Sequence, residues 1–375
     1  MPKEIIFSPS TDVNELAQAL RRVDAQSDVG SLLLFSCDEN DYELETVNRL
    51  LASLSKPIMG GVFPQILYQD RAYTSGFVLV ALKETLTVKS IAQLSSNDVD
   101  YETLIEQTFA EVASAPTMFV FVDGLAKRVA SLVDGLYANF GTQPKYIGGG
   151  AGSLSFVQKP CLYTSQGLLM DAAVIGFSGA QTALGVGHGW KSIVPDWQVT
   201  KVDRNLVQEI NYKPAFEVYQ QAVNQYSSTP ISADNFFSVA QSFPLGINKL
   251  GGEKIVRDPI AVTPEGHLVC VGELSQGDYV DLLTAQPQDL FDAARQTAEV
   301  AQKAGNGKAV KLTLFIDCIS RALFLKEAFD EEVAQVRAVT GNAPPLVGAL
   351  VLGEIANSGS GYLEFYNKTA VVGLL

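Results

Sequence analysis

Lys145-Tyr-Ile-Gly-Gly-Gly-Ala-Gly152 is an apolar run that passes into a string of glycines. Such a stretch suits a turn in which backbone adopts positive φ and comes close to a neighbouring chain. The chain uses the same device twice more, at Lys56-Pro-Ile-Met-Gly-Gly61 and Pro345-Leu-Val-Gly-Ala349. Each follows a helical pattern that itself follows an apolar strand: Ser31–Phe35, Thr117–Val122 and Lys311–Ile316. Aligning Phe35, Phe121 and Phe315 places Gly60, Gly148 and Gly348 in equivalent positions. After each glycine pair or string come strand-like runs that end in Gly76–Leu82, Ala172–Phe177 and Thr369–Leu374. The reading is one β–loop–α–β–β–β unit used three times, the third after a long insertion.

The rest of the chain fits around these units. Asp12 and Asp100 stand before apolar stripes at helical spacing and are expected to cap helices. Trp197–Val202 and Val207–Ile210 form an expected hairpin through Asp203-Arg204-Asn205. At Lys213-Pro214 the pattern changes, with proline opening a helix through Phe216, Tyr219 and Val223. This places a domain boundary between residues 1–212 and 213–375. Consecutive strands beside strand–helix crossovers predict an α+β (α/β) fold with mixed sheets flanked by helices. Strands apolar on both faces point to an αββα-like layering.

Composition narrows the function. At 375 residues and 47% hydrophobic, the chain can bury a large core. A net charge of −14 repels phosphate backbones and anionic membrane surfaces, so neither nucleic acid nor membrane is expected as a partner. The N-terminus lacks a signal-peptide pattern, and no apolar run reaches spanning length. Cys37, Cys161, Cys270 and Cys318 are far apart, as suits reduced thiols in a cytoplasmic protein. With only His188 and His267, histidine chemistry is restricted, and no G-x-S-x-G, H-E-x-x-H, zinc or P-loop pattern occurs.

Several stretches together resemble the FIST family, bacterial intracellular signal-transduction domains with an N-terminal and a C-terminal part. They are Ile147–Gly152, Gly187-His-Gly-Trp-Lys191 and Trp197-Gln-Val-Thr-Lys201 for the first part. For the second they are Lys213–Tyr219, Phe243-Pro-Leu-Gly-Ile247, Ile255-Val-Arg-Asp-Pro259, Phe315-Ile-Asp-Cys-Ile-Ser-Arg321, Gly353-Glu-Ile355 and Phe365-Tyr-Asn-Lys-Thr369. Ser320 stands where related sequences often carry glycine after Cys-Ile. The resemblance implies a non-enzymatic sensor that binds a small molecule such as an amino acid. It also implies coupling to a signalling partner: a histidine kinase of a two-component system, a cyclic-dinucleotide enzyme or a chemoreceptor. Some stand-alone members of the family are haem proteins that sense nitric oxide.

The residues themselves supply candidates for these roles. The loop Asp317-Cys318-Ile-Ser-Arg321 sits between a buried strand and a helix start. Arg257 or Arg321 suits a ligand carboxylate, and Asp317 or Glu354 an ammonium group. The plainer assignment has Asp317 cap the helix, Arg321 pair on its surface, and Arg257 pair with Asp258. The backbone of Gly149 and Gly150 could meet a ligand or merely pack closely. Cys318 is either a nucleophile at a helix start or a buried thiol. His188, flanked by glycines and Trp190, is the first candidate for a haem ligand and His267 the second. Glu327, Asp330, Glu331 and Glu332 are expected on a solvated helix face, open to a basic partner.

Overall fold

Asp12 and Asp100 do accept from the first backbone N–H groups of their helices, and the strand–helix alternation they begin recurs three times. The structure is a computed structural model describing residues 2–249, 254–357 and 361–375. The first unit comprises β1 (Pro2–Ser8), α1 (Val13–Asp24), β2 (Ser31–Cys37), α2 (Leu44–Ala52) and β3 (Ile58–Phe63), then β4 (Gln65–Tyr68), β5 (Arg71–Tyr73) and β6 (Phe77–Leu82). The second repeats it with β7 (Thr87–Ala92), α3 (Tyr101–Phe109), β8 (Thr117–Asp123), α4 (Val129–Phe140) and β9 (Lys145–Ala151), then β10 (Leu162–Thr164), β11 (Gly167–Leu169) and β12 (Ala172–Ser178).

The third unit opens with β13 (Ala183–Gly187) and is then interrupted. The insertion holds β14 (Lys191–Asp203), β15 (Leu206–Ile210), β16 (Lys213–Pro214), α5 (Ala215–Tyr226) and α6 (Phe236–Ala240). It continues with β17 (Leu245–Asn248), β18 (Lys254–Val262), β19 (Leu268–Val271) and β20 (Tyr279–Thr284). The unit resumes with α7 (Pro287–Ala304), β21 (Thr313–Cys318), α8 (Ile319–Leu325), α9 (Phe329–Thr340) and β22 (Leu346–Val351). It closes with β23 (Glu354–Asn357), β24 (Leu363–Tyr366) and β25 (Ala370–Leu374).

Each unit builds the same four-strand sheet: β1-β6-β2-β3, β7-β12-β8-β9 and β13-β25-β21-β22. Only the last pair in each is parallel. The hairpin that follows does not stay at home. β4–β5 adds to the third sheet, β10–β11 to the first and β23–β24 to the second. The three units therefore exchange hairpins in a closed cycle, and each sheet reaches six strands.

The glycine strings are strands, not turns. Gly60, Gly148 and Gly348 lie in β3, β9 and β22. A Cβ on any of them would fall 2.0, 1.8 or 1.7 Å from the carbonyl oxygen of Leu34, Val120 or Phe315 respectively. Close approach, rather than a turn, is what demands glycine. The register pairs these same residues, so Leu34 and Val120 are equivalent to Phe315. The alignment on phenylalanines is thus off by one residue in the third unit. Ile316, not Phe315, takes the inward place of Phe35 and Phe121, because one step along a strand reverses the face.

The inner faces of the three sheets meet in a common core that includes Phe35, Phe63, Phe121, Ile147, Ile316 and Val371. Outer faces are covered by helices: α1 and α2, α3 and α4, and α7 with α8 and α9. The helix–sheet–sheet–helix layering thus holds between sheets, with three sheets rather than two around the centre. In the insertion, β14, β20, β17, β18, β19 and β15 pair in that order and β15 returns to β14, closing an antiparallel barrel. Bulges in β14 let one long strand serve both edges of the closure. Three of the four sheets contain strands from both sides of residue 212. Between Ile319 and Thr340 the chain forms two helices, not one: Lys326, with φ 52°, separates α8 from α9 through one 3-10 turn.

Candidate functional site

The insertion sets the barrel against the C-terminal ends of β8 and β21. A cavity of about 350 Å3 lies between them, a size suited to a small ligand. Leu125, Val129, Ile260, Ile319, Leu323 and Leu352 give it apolar walls. Leu154, Phe156 and Phe237, each more than a third exposed, stand at its mouth. Lys127 and Arg204 also line it and are exposed. A much smaller cavity, about 30 Å3, lies near Asp38 and Asp123 at the ends of β2 and β8.

The floor of the larger cavity is polar. Asp258, on β18 and 1% exposed, accepts from Ser320 Oγ at 2.8 Å and pairs with Lys368 Nζ at 3.2 Å, both through Oδ2. Its Oδ1 is buried without a partner. Lys368 is fully enclosed, donates to the Gln241 carbonyl at 3.0 Å and lies 5.0 Å from the Trp190 ring centroid. Asn367, also lining the cavity, has neither amide atom partnered, and Oε1 of Glu273 is likewise unmet. Gly353, at φ +95°, lets Asn367 and Phe365 close in: a Cβ there would fall 3.1 Å from Asn367 Nδ2 and 2.3 Å from the Phe365 ring. Burial pushes the Asp258 and Glu273 carboxyls above their ordinary range, while Lys368 and Ser320 pull Asp258 back.

Of the candidate ligand and cofactor residues named from sequence, Cys318 alone lines this cavity. Burial pushes its thiol well above the ordinary value, which leaves it protonated and a poor nucleophile. Glu354 lies behind it, fully buried, accepting from the Thr369 N–H at 3.1 Å. Desolvation raises that carboxyl to about 8, against the opposing hydrogen bonds from Cys318 and Thr369.

Asp317 and Arg321 are turned away from the cavity into a buried network. Arg321 donates from Nε to Glu332 at 2.9 Å and lies 3.2 Å from Asp317 Oδ1. Its other nitrogens donate to the carbonyls of His188, Lys368 and Leu290, and Nη2 also meets Glu332. Each guanidinium nitrogen is engaged, so Arg321 has no fork to offer a carboxylate. It does not pair on the surface either, and Asp317 does not cap α8; its Oδ1 accepts the N–H of Cys318, the N-cap residue. Glu332 belongs to this network rather than to the solvated face that holds Glu327, Asp330 and Glu331.

Arg257 lies behind the cavity wall. It donates to the carbonyls of Glu273, Val256 and Phe365, while Asp258 takes Lys368 instead of Arg257 as its cation. Gly149 and Gly150 pack on the backbone of Gly353 and Leu352, with Gly150 N–H donating to the Gly353 carbonyl at 2.8 Å. Backbone thus packs closely on backbone at both glycines.

The surroundings of His188 do not fit a haem. Its Nδ1 accepts the Trp190 N–H at 2.9 Å, and the Lys254 backbone also hydrogen-bonds the ring. Burial and the nearby Arg321 and Lys254 charges lower its pKa to about 4. His188 lines neither cavity. It stands half-buried between the end of β13 and the start of β14. His267 sits in the β18–β19 turn, where its carbonyl accepts from Thr263. Among the described residues no cluster of three or more His, Cys, Asp or Glu side chains is placed to hold a metal ion.

Sequence reasoning missed Asp258, Ser320, Asn367 and Lys368 as site residues. Each lay inside a stretch already singled out, and Ser320 was noted as a departure from related sequences. Nothing local marks their inward aim, because β18, α8 and the turn before β25 meet only in the folded chain.

The chain matches the FIST N domain over residues 31–213 and the FIST C domain over residues 215–357. No curated protein matches it. Both matched segments contribute to the larger cavity, Leu125 and Arg204 from the first and Asp258 and Ser320 from the second.

Proposed function

The chain belongs to the FIST family, whose domains are associated with signal-transduction sensing, and from that premise we propose that it senses a small molecule bound in the cavity between barrel and strand ends. One observation carries the reading: an apolar-walled cavity of ligand size, about 350 Å3, is lined by residues of both matched segments, with the polar Asp258, Glu273 and Asn367 among them. An amino acid or a similar small organic molecule fits this space.

Coupling to a partner follows from the cavity's walls. They come from two bodies, the barrel and the end of the three-sheet core. A ligand that prefers one setting of barrel against core shifts the population of that setting. The receiving surface belongs to a signalling protein such as a histidine kinase, a cyclic-dinucleotide enzyme or a chemoreceptor. Catalysis is not favoured: burial holds both thiols at the cavity, Cys270 and Cys318, protonated, and neither histidine lines it.

The test is thermal unfolding of the purified protein against a panel of amino acids and related small molecules. A ligand of the native state raises the midpoint as its concentration passes the dissociation constant. A rise abolished by Leu323→Trp, which fills the cavity, supports the reading. A rise untouched by that substitution places the binding elsewhere and overturns it.

A further inference from the structure

We infer that the group the ligand buries is an uncharged ring or branched hydrocarbon, gripped at the mouth of the cavity by Leu154 and Phe156 of the β9–β10 loop. This rests on the reading of the cavity as the ligand site. The threefold repeat supplies the first argument, because it shows how little chain that connection needs. From β3 to β4 the chain passes through Pro64 alone, and from β22 to β23 through Leu352 and Gly353. From β9 to β10 it runs from Gly152 to Cys161, although all three hairpins join the neighbouring sheet by the same antiparallel pairing. Ser153 to Pro160 belong to no strand. Instead they place Leu154 and Phe156 on the cavity, and Gln158 ties the loop down by donating to Asp123 Oδ2 at 2.7 Å. Phe156, with φ 53°, holds a backbone conformation that a bulky residue rarely adopts. Of the eleven large apolar side chains exposed among the described residues, Leu154, Phe156 and Val157 come from this loop, and Phe237 on α6 lines the same cavity. Apolar surface gathered at one place marks a binding surface rather than scatter.

The lining supplies the second argument. Its half-buried residues, where a ligand can make contact, are mostly apolar, with Leu125, Ala130, Ile260, Val271 and Leu323 among them. A charge carried inward finds no open partner. Asp258 and Asn367 are each 1% exposed, and Asp258 is closed off by Ser320 and Lys368. Arg257 gives to backbone carbonyls, and burial keeps Cys270 and Cys318 protonated. Glu273, half-buried, lies in the field of Arg128 and Arg204. Taking an unpaired charge out of water opposes binding, whereas an apolar group gains by leaving it. Lys127 and Arg204 stand exposed, so the charged ends of a ligand that has them stay outside in water. Among amino acids this selects those with apolar side chains.

The test measures two series by calorimetry and thermal shift on the full chain. The first keeps the charged ends and varies the side chain: phenylalanine, leucine and tryptophan against serine, glutamine, aspartate and lysine. The second, indole and cyclohexanol, carries no charge. The expected result is that the best apolar compound binds at least about tenfold more tightly than every polar amino acid, a factor worth ~1.4 kcal/mol. Phe156→Asn, which suits a left-handed backbone, should weaken that compound at least about threefold without lowering the unfolding midpoint of the free protein. Leu154→Ser, on a second exposed residue, keeps the test open if the first variant misfolds. A polar or charged side chain that binds as tightly as the apolar ones overturns the apolar assignment and leaves the sensing cavity standing. Apolar binding that both loop variants leave unchanged overturns the role of the loop, and with it the inference. Apolar binding that survives Leu323→Trp lies elsewhere and overturns both the inference and the cavity as a ligand site, as does the absence of binding by any compound of either series.

Discussion

Glu354 shows how far burial governs single residues here. Its carboxyl is fully enclosed and desolvation raises it from an ordinary 4.5 to about 8. The native protein then holds a proton that the unfolded chain has released, so this group's contribution to stability falls as pH rises from about 4.5 to about 8 and is level above. Glu354→Gln keeps an acceptor for the Thr369 N–H and removes the charge. Urea unfolding across that window should show the wild type losing roughly a few kcal/mol that the variant keeps, and parallel curves would refute the assignment. The three strand glycines give a second test. Gly148→Ala drives a Cβ into the Val120 carbonyl and should cost more than about 3 kcal/mol or abolish folding. Gly141→Ala, with nothing within 4 Å but φ +61° and ψ −145°, should cost less, about 1–3 kcal/mol from backbone strain alone.

Among the elements, the segment from β21 through α9 carries the most information. Arg321 on α8 binds Glu332 on α9 and Asp317 on β21, and its Nη atoms reach back to His188 and Leu290. It therefore ties the third unit to the entrance of the barrel. Arg321→Met should destabilise by about 3–5 kcal/mol, because two buried carboxylates lose their cation. Adding Glu332→Leu and Asp317→Leu should return much of that loss. No recovery in the triple variant would mean that the backbone carbonyls, not the carboxylates, are the partners that matter. The break at Lys326 is a local cost of bringing α9 round to Arg321. With φ 52° and an exposed side chain, Lys326→Gly should raise stability by about 0.5–1 kcal/mol in the same urea assay.

At the scale of the whole molecule, the cyclic exchange of hairpins makes the three units interdependent. β4–β5, β10–β11 and β23–β24 each complete a sheet begun by another unit. Calorimetry should therefore show one cooperative transition, and separate fragments 1–212 and 213–375 should not fold alone but regain structure when mixed. Two independent transitions, or a natively folded fragment, would contradict this. Much of the arrangement was legible beforehand. Strand runs, cap residues, the threefold repeat and the glycines at Gly60, Gly148 and Gly348 are local signals, set by side-chain periodicity and by what a backbone position can tolerate. So the sequence by itself determined the unit, its number and its α+β character, and through its motifs the family. The tertiary structure alone decided which sheet each hairpin joins, that the inserted strands close a barrel, and that glycine strings are pinched strands. It also decided which side chains meet at the larger cavity. Arg321 and Asp258 look equally available on paper, and only packing shows that Arg321 spends every nitrogen inside the protein while Asp258 keeps one oxygen free. Hydrogen-bond supply at a point depends on elements far apart in the chain, and no spacing along the sequence records it.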